Sequence, residues 1–259
     1  MFKNFPEITY GINHLVEEKD SMFMDVDLLK CRKDEEFVIS YSKQEAAFLL
    51  IEGEVVFYVD GIEKRCVRKN CFEEEASCLH VSKNTEVKII SLKDSEILIQ
   101  RKGNDKNFKP VFYDSSNIDI GYFGDGPLKE TTKRKVTTIL DYDRTPYSNM
   151  VLGEIINLPG IWSSYPPHSH PQPEVYFYKF DKPQGFGTCF IGEDAYKIHN
   201  NSVSCIEGDK THPQNAAPGY AMYYVWMIPH LEDNPWIKTR IFDPEHEWVN
   251  QDKVDVYKF

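Results

Sequence analysis

In the stretch PPHSHPQPEVYFYKF, His168 and His170 stand two residues apart and Glu174 follows shortly after. On an extended strand, residues i and i+2 share a face, so both imidazoles would project the same way. The short loop Pro171-Gln172-Pro173 can bend the chain and return Glu174, at the start of the next apolar run, toward that face. A fourth donor is available in EGDKTHPQN, where His212 sits in a polar turn after the run SVSCI. Three neutral imidazoles and one carboxylate suit one divalent metal ion per chain, Zn or Mn first, with Fe, Co and Ni also matched by the set. Such a set leaves coordination positions for water or substrate. The other histidines, His14, His80, His199, His230 and His246, lack this spacing and read as surface or hydrogen-bonded residues.

The elements that must carry these donors are strands. AAFLLIEGEVVFYVDGIEKRCV, EVKIISLKDSEILIQR, EVYFYKF and GYAMYYVWMI are short β-branched or aromatic runs punctuated by Gly, Asp and Asn, and stretches of helical period are scarce. Turn residues recurring about every ten positions predict an all-β sandwich or barrel. Asp60-Gly61 lies between two strand-like runs and both residues tolerate positive φ, which predicts a tight hairpin there. Ser82 to Thr85 is a second polar break between apolar runs.

A weak internal repeat emerges when QEAAFLLIEGEVVFYVDG is laid over PEVYFYKFDKPQGFG: a glutamate opens an apolar strand that then meets a glycine turn, with Glu45 in the place of Glu174. The match favours two related barrels, one per half. The polar, turn-rich segment from Gly103 to Pro127 is the expected connection. With the boundary near residue 115, residues 1–115 form a first barrel and residues 116–259 a second that carries the metal site. The first half has no paired histidines, and Glu45 reads as lacking histidine partners, so the first barrel is expected to be structural.

A chain of 259 residues with 41% hydrophobic and 14% aromatic residues can build a sizeable core. Its formal charge of −11, spread over short acidic runs, argues against a nucleic-acid surface, which needs clustered Lys and Arg. An anionic substrate would therefore need local cations in its pocket. No run approaches the roughly 18 apolar residues that cross a bilayer, and the first residues lack the apolar core of a signal peptide, so a cytoplasmic location is expected. Six scattered cysteines without CxxC spacing read as buried thiols.

The second half contains the words SSYPPH, PQGF, APGYAMYY and DPEHEW around the histidines. Over about residues 134 to 249 it resembles the 5-deoxy-glucuronate isomerases of myo-inositol catabolism, and the first half is similar to that family through EAAFLLIEGEVVFYVDG. The resemblance implies two cupin barrels in one chain and an aldose–ketose isomerisation of 5-deoxy-D-glucuronate to 2-deoxy-5-keto-D-gluconate. It also implies metal ligation through His168, His170, Glu174 and His212. The chain departs from the family pattern in the short Pro171-Gln172-Pro173 loop, and in Glu207 and Asp209 where the turn before His212 usually offers Pro and Gly.

Moving a carbonyl by one carbon means removing a weakly acidic proton, which needs a Lewis acid for the developing charge and a base to carry the proton. Tyr224, Lys179, Glu207 and His199 are chemically able bases, with Tyr224 and Lys179 the candidates put forward as catalytic. Arg134 suits the substrate carboxylate because a guanidinium forks onto two oxygens. Two other readings share the metal set: the ketol-isomerase of pectin breakdown acting on 4-deoxy-5-hexosulose uronate, and a non-catalytic, metal-containing cupin that binds sugar acids. A homo-oligomer is expected, since exposed sheet edges favour pairing.

Overall fold

The computed structural model describes residues 1–251 and 253–257, and among them regular structure is almost wholly antiparallel strand. Alternation within each strand explains the layering. In Glu174–Phe180, the residues Tyr176, Tyr178 and Phe180 enter one buried cluster while Val175 and Phe177 enter another. In Gln44–Val59, Ala46, Phe48 and Leu50 face one cluster and Ala47, Leu49 and Ile51 face the second. Strands buried on both faces, as these are, read as continuous apolar runs. There are thus three cores: one inside each half and a seam where the two main sheets pack together, drawn from both halves through residues such as Val26, Leu98, Leu152 and Phe177.

The second half is built on a seven-stranded sheet ordered Phe2–Asn4, Ser202–Ile206, Glu174–Phe180, Met222–Pro229, Met150–Asn157, Arg134–Leu140 and Asp119–Phe123. A smaller four-stranded sheet, Trp162–Ser163, Gln214–Ala216, Gly187–Ile191 and Asp194–Ile198, completes its surroundings. Pairing passes from the first half to the second between Val111–Tyr113, which lies beside Ser77–Val81, and Asp119–Phe123, which lies beside Arg134–Leu140. The segment read as a connection therefore supplies an edge strand to each half. One element departs from a simple division at 115: Phe2–Asn4 pairs with Ser202–Ile206, so the first strand of the chain extends the second half's sheet. The reason is local, because Ser202–Ile206 otherwise offers an open edge, and pairing satisfies its backbone groups.

The tight hairpin forms as read, with Val59 opposite Ile62 and positive φ at Asp60 and Gly61. The long strand Gln44–Val59 serves two sets of partners because it bends near Gly53, whose φ of 112° and close approach to Ser95 exclude a side chain. Across the seam, Arg68 forks onto Glu154 at 2.6 and 3.0 Å, and the Tyr223 hydroxyl donates to the same carboxylate. Burial opposes the guanidinium's charge, but the facing carboxylate more than offsets it and holds the Arg68 pKa above its ordinary value. All six cysteines are free and buried.

Candidate active site

Three segments assemble the cluster. His168–Ser169 is a short strand held by antiparallel pairing with Ile241–Phe242. Glu174 opens its strand opposite Ile206, with its side chain on the interior face that Tyr176 and Tyr178 share. The turn bearing His212 is pinned to the His170 segment by a hydrogen bond from the Asp209 amide to the His170 carbonyl, 2.8 Å. Asp209 adopts φ 64°, the left-handed conformation that aspartate tolerates, and Gly208 sits so close to the Pro171 carbonyl that a Cβ would lie 2.1 Å from it. The short proline loop and the acidic turn thus fit one another.

His170, Glu174 and His212 converge, with ligand atoms within 4.8 Å of one another. The His170 and His212 Nε2 atoms stand 3.3 and 3.2 Å from the same Glu174 oxygen. His168 stands beside this trio, its ring 5.0 Å from that of His212. Each histidine donates its Nδ1–H to a backbone carbonyl: His168 to Pro166 at 2.9 Å, His170 to Gln172 at 2.9 Å and His212 to Lys210 at 2.8 Å. A carbonyl only accepts, so these bonds fix the tautomer and leave each Nε2 with a lone pair. Burial, aided by the neighbouring His212, pushes the His168 pKa down to about 3, and burial lowers His212 despite the adjacent carboxylate. His212 therefore aims a lone pair at the carboxylate, and with His170 in the same tautomer the arrangement is repulsive until a cation stands between them. The spacing fits one. Bonds of about 2.1 Å place neighbouring ligand atoms roughly 3.0 Å apart at a right angle and roughly 3.4 Å apart at a tetrahedral angle. The backbone carbonyls supply the outer hydrogen bonds that ligating histidines need.

The cluster opens into a cavity of roughly 330 Å³. Its wall carries Arg134, whose guanidinium donates to the Thr132 carbonyl at 2.8 Å. Burial lowers the Arg134 pKa, and the nearby charge of Arg240 adds to that effect. Tyr176 forms part of the lining, and its hydroxyl lies 3.2 Å from Ser164 Oγ. Burial raises Tyr176 well above the ordinary phenol value and keeps it protonated.

The candidate bases fall elsewhere. Lys179 lies three residues beyond Tyr176 and so on the opposite face of the strand, where it pairs with Glu96 at 2.5 Å; the structure corrects the reading that placed it in the site. Glu207 and His199 are exposed and outside the cavity lining. Tyr224 is interior but lies one layer beneath, its ring 4.9 Å from Tyr176 and its hydroxyl bonded to Ser163; burial raises its pKa to about 12. Sequence reasoning missed Tyr176 and Arg240. The period-2 relation of Tyr176 to Glu174 was the available signal for the first, and no local signal marked the second.

Glu45 differs from the expectation in two ways. It has a histidine partner, His80 Nε2 at 2.8 Å, and it also accepts from Ser148 Oγ at 3.0 Å and the Asn149 amide at 2.6 Å. These second-half partners, and its alternation with the seam residues Ala47 and Leu49, place it at the seam, whereas Glu174 faces a barrel interior.

Two strand-built halves with imidazoles and a glutamate converging inside one of them define a two-barrel cupin. The Leptotrichia buccalis cupin 2 conserved barrel domain protein shares this fold, with a TM-score of 0.50 at 12% identity over 88% of this chain and 96% of that one. A much closer structural match is the IolB-like protein of Salmonella typhimurium, with a TM-score of 0.87 at 18% identity over 96% of this chain and 99% of that one. The profile of the KduI/IolB family matches residues 5–249, and the chain belongs to that family. The 5-deoxy-glucuronate isomerase of Bacillus subtilis (strain 168) is 22% identical over 267 residues, covering 94% of this chain and 95% of the relative. Its counterpart in Geobacillus thermodenitrificans is 26% identical over 231 residues, covering 82% and 80%. The chain is an isomerase of this family. No helix among the described residues is long and apolar enough to cross a membrane.

Proposed function

We propose that this isomerase converts 5-deoxy-D-glucuronate to 2-deoxy-5-keto-D-gluconate, a step of myo-inositol catabolism, and that it depends on one divalent ion, Zn or Mn, held by His170, Glu174 and His212 with His168 beside them. The observation that carries the metal part is the convergence of tautomer-fixed Nε2 lone pairs on one carboxylate. The substrate follows from relatives named for this activity that span nearly the whole chain. A divalent ion there supplies Lewis acidity toward the substrate's carbonyl and hydroxyl oxygens.

The chain's own residues bind and orient the substrate. Arg134 meets the substrate carboxylate. Tyr176, kept protonated by burial and oriented by Ser164, donates a hydrogen bond to a substrate oxygen that gains negative charge as the C–H proton passes to a carboxylate of the cavity lining. Tyr224 supports the Tyr176 ring from beneath, while the apolar wall, including Ile155, Trp226 and Ile228, limits water at the reacting carbons.

Proton NMR of the metal-loaded protein with 5-deoxy-glucuronate in deuterated water tests the reading. Conversion with deuterium incorporation is expected, and its loss in the His168→Ala, His170→Ala double variant. Metal-loaded protein that leaves this substrate untouched and turns over 4-deoxy-5-hexosulose uronate would contradict it.

A further inference from the structure

The polypeptide from Trp236 to Phe242 runs along the cavity and is tied to the metal-cluster strand, because Ile241–Phe242 pairs with His168–Ser169. It brings three side chains to the lining: Trp236, Lys238 and Arg240. Lys238 is already neutralised by Asp141 at 3.2 Å and Asp143 at 2.9 Å. Arg240 is different: among the described residues it makes no hydrogen bond or ion pair, though it shares the cavity with Arg134, whose one hydrogen bond is to a backbone carbonyl. Among the described residues neither guanidinium is in an ion pair, although Asp119 and Glu174 also line the cavity, so the two face the same space unpaired in a chain whose formal charge is −11. Like charges held together in this way are unfavourable until an anion joins them, and a carboxylate offers each guanidinium an oxygen.

We infer that Arg240, reaching in from the C-terminal segment, closes a two-arginine clamp with Arg134 that holds the substrate's carboxylate and makes the enzyme select sugar acids over neutral sugars. Arg240 adjoins the strand paired with His168, so its half of the clamp is fixed relative to the reacting end by that strand pair, while Arg134 comes from the main sheet. The name of the acid rests on the proposed function above; the preference for an anion does not, and can be measured without turnover.

The probe is D-glucuronate, titrated calorimetrically into metal-loaded protein beside D-glucose, which keeps the ring and lacks the carboxylate. Wild type is expected to bind glucuronate in clear preference to glucose. Arg240→Gln should lose affinity for glucuronate by about 10- to 100-fold, the loss of a charge-assisted pair, with little change toward glucose and with full metal content. Arg240→Lys should fall between, because an ammonium keeps the charge and loses the fork. Undiminished glucuronate preference in Arg240→Gln, or no preference in wild type, would overturn the clamp. If 5-deoxy-glucuronate is not turned over while the preference and its dependence on Arg240 hold, the substrate assignment fails and the clamp stands.

Discussion

The two halves each bury a glutamate beside a histidine, and only one of those pairs is arranged to take a cation. Glu45 is surrounded by donors: His80 Nε2, Ser148 Oγ and the Asn149 amide all point protons at it, so its charge is answered by the protein. Glu174 faces two ring nitrogens instead, since its neighbours His170 and His212 have given their Nδ1 protons to backbone carbonyls and turn Nε2 toward it. Residue type is the same in both places. What differs is where the second ring nitrogen of each histidine is committed: among the described residues His80 Nδ1 has no partner, which leaves the proton to Nε2, whereas the site histidines donate Nδ1–H to backbone carbonyls. The comparison teaches that a buried His–Glu pair is read through its protons before its spacing.

The largest effect expected from breaking the contrast is on the acceptor side. His170→Ala or Glu174→Gln should abolish stoichiometric metal binding and lower turnover by roughly 10³-fold or more, as measured by elemental analysis and NMR. On the donor side, Glu45→Ala strands three donors in a buried seam and should cost about 3–5 kcal/mol in urea unfolding. Metal content and turnover per folded molecule should be unchanged. An activity loss as large as that of His170→Ala would erase the distinction between the two halves.

The pH dependence sharpens it further. Burial holds His168 down to about 3 and His230 to about 4, both below an unfolded value of about 6.5. As the pH falls below about 6.5 the unfolded chain binds protons that the folded chain refuses, so stability is complete above that value and declines below it. Each histidine contributes up to about 1.4 kcal/mol per pH unit in that window. Metal-free protein should therefore show a urea midpoint that drops between pH 7 and 5, and a flat profile would contradict the neutral state of these rings. The smallest effect belongs to Lys179→Met. Because Lys179 pairs with Glu96 away from the cavity, turnover should stay within about threefold of wild type.

Much of this was legible in the sequence. The spacing of His168, His170 and Glu174 marks a shared face, and the punctuated apolar runs mark an all-β chain with a hairpin at Asp60-Gly61. The placement of Glu45 was not, because strand periodicity is two and a one-residue offset in aligning the repeat carries the side chain from barrel interior to seam. The same rule displaced Lys179, an odd number of positions from Glu174 and so on the other face. Arg240 and the pairing of Phe2–Asn4 with Ser202–Ile206 depend on contacts between distant segments, for which local pattern carries no signal. The Arg68–Glu154 pair is likewise invisible as two ordinary charges until the seam closes around it.

The most direct test is equilibrium dialysis of metal-stripped protein against Zn or Mn, with bound ion counted by elemental analysis in wild type, His170→Ala and Glu45→Ala. One ion per chain is expected in wild type and in Glu45→Ala, and none in His170→Ala. An ion retained by His170→Ala, or lost from a folded Glu45→Ala, would place the metal elsewhere and contradict the reading of the two glutamates.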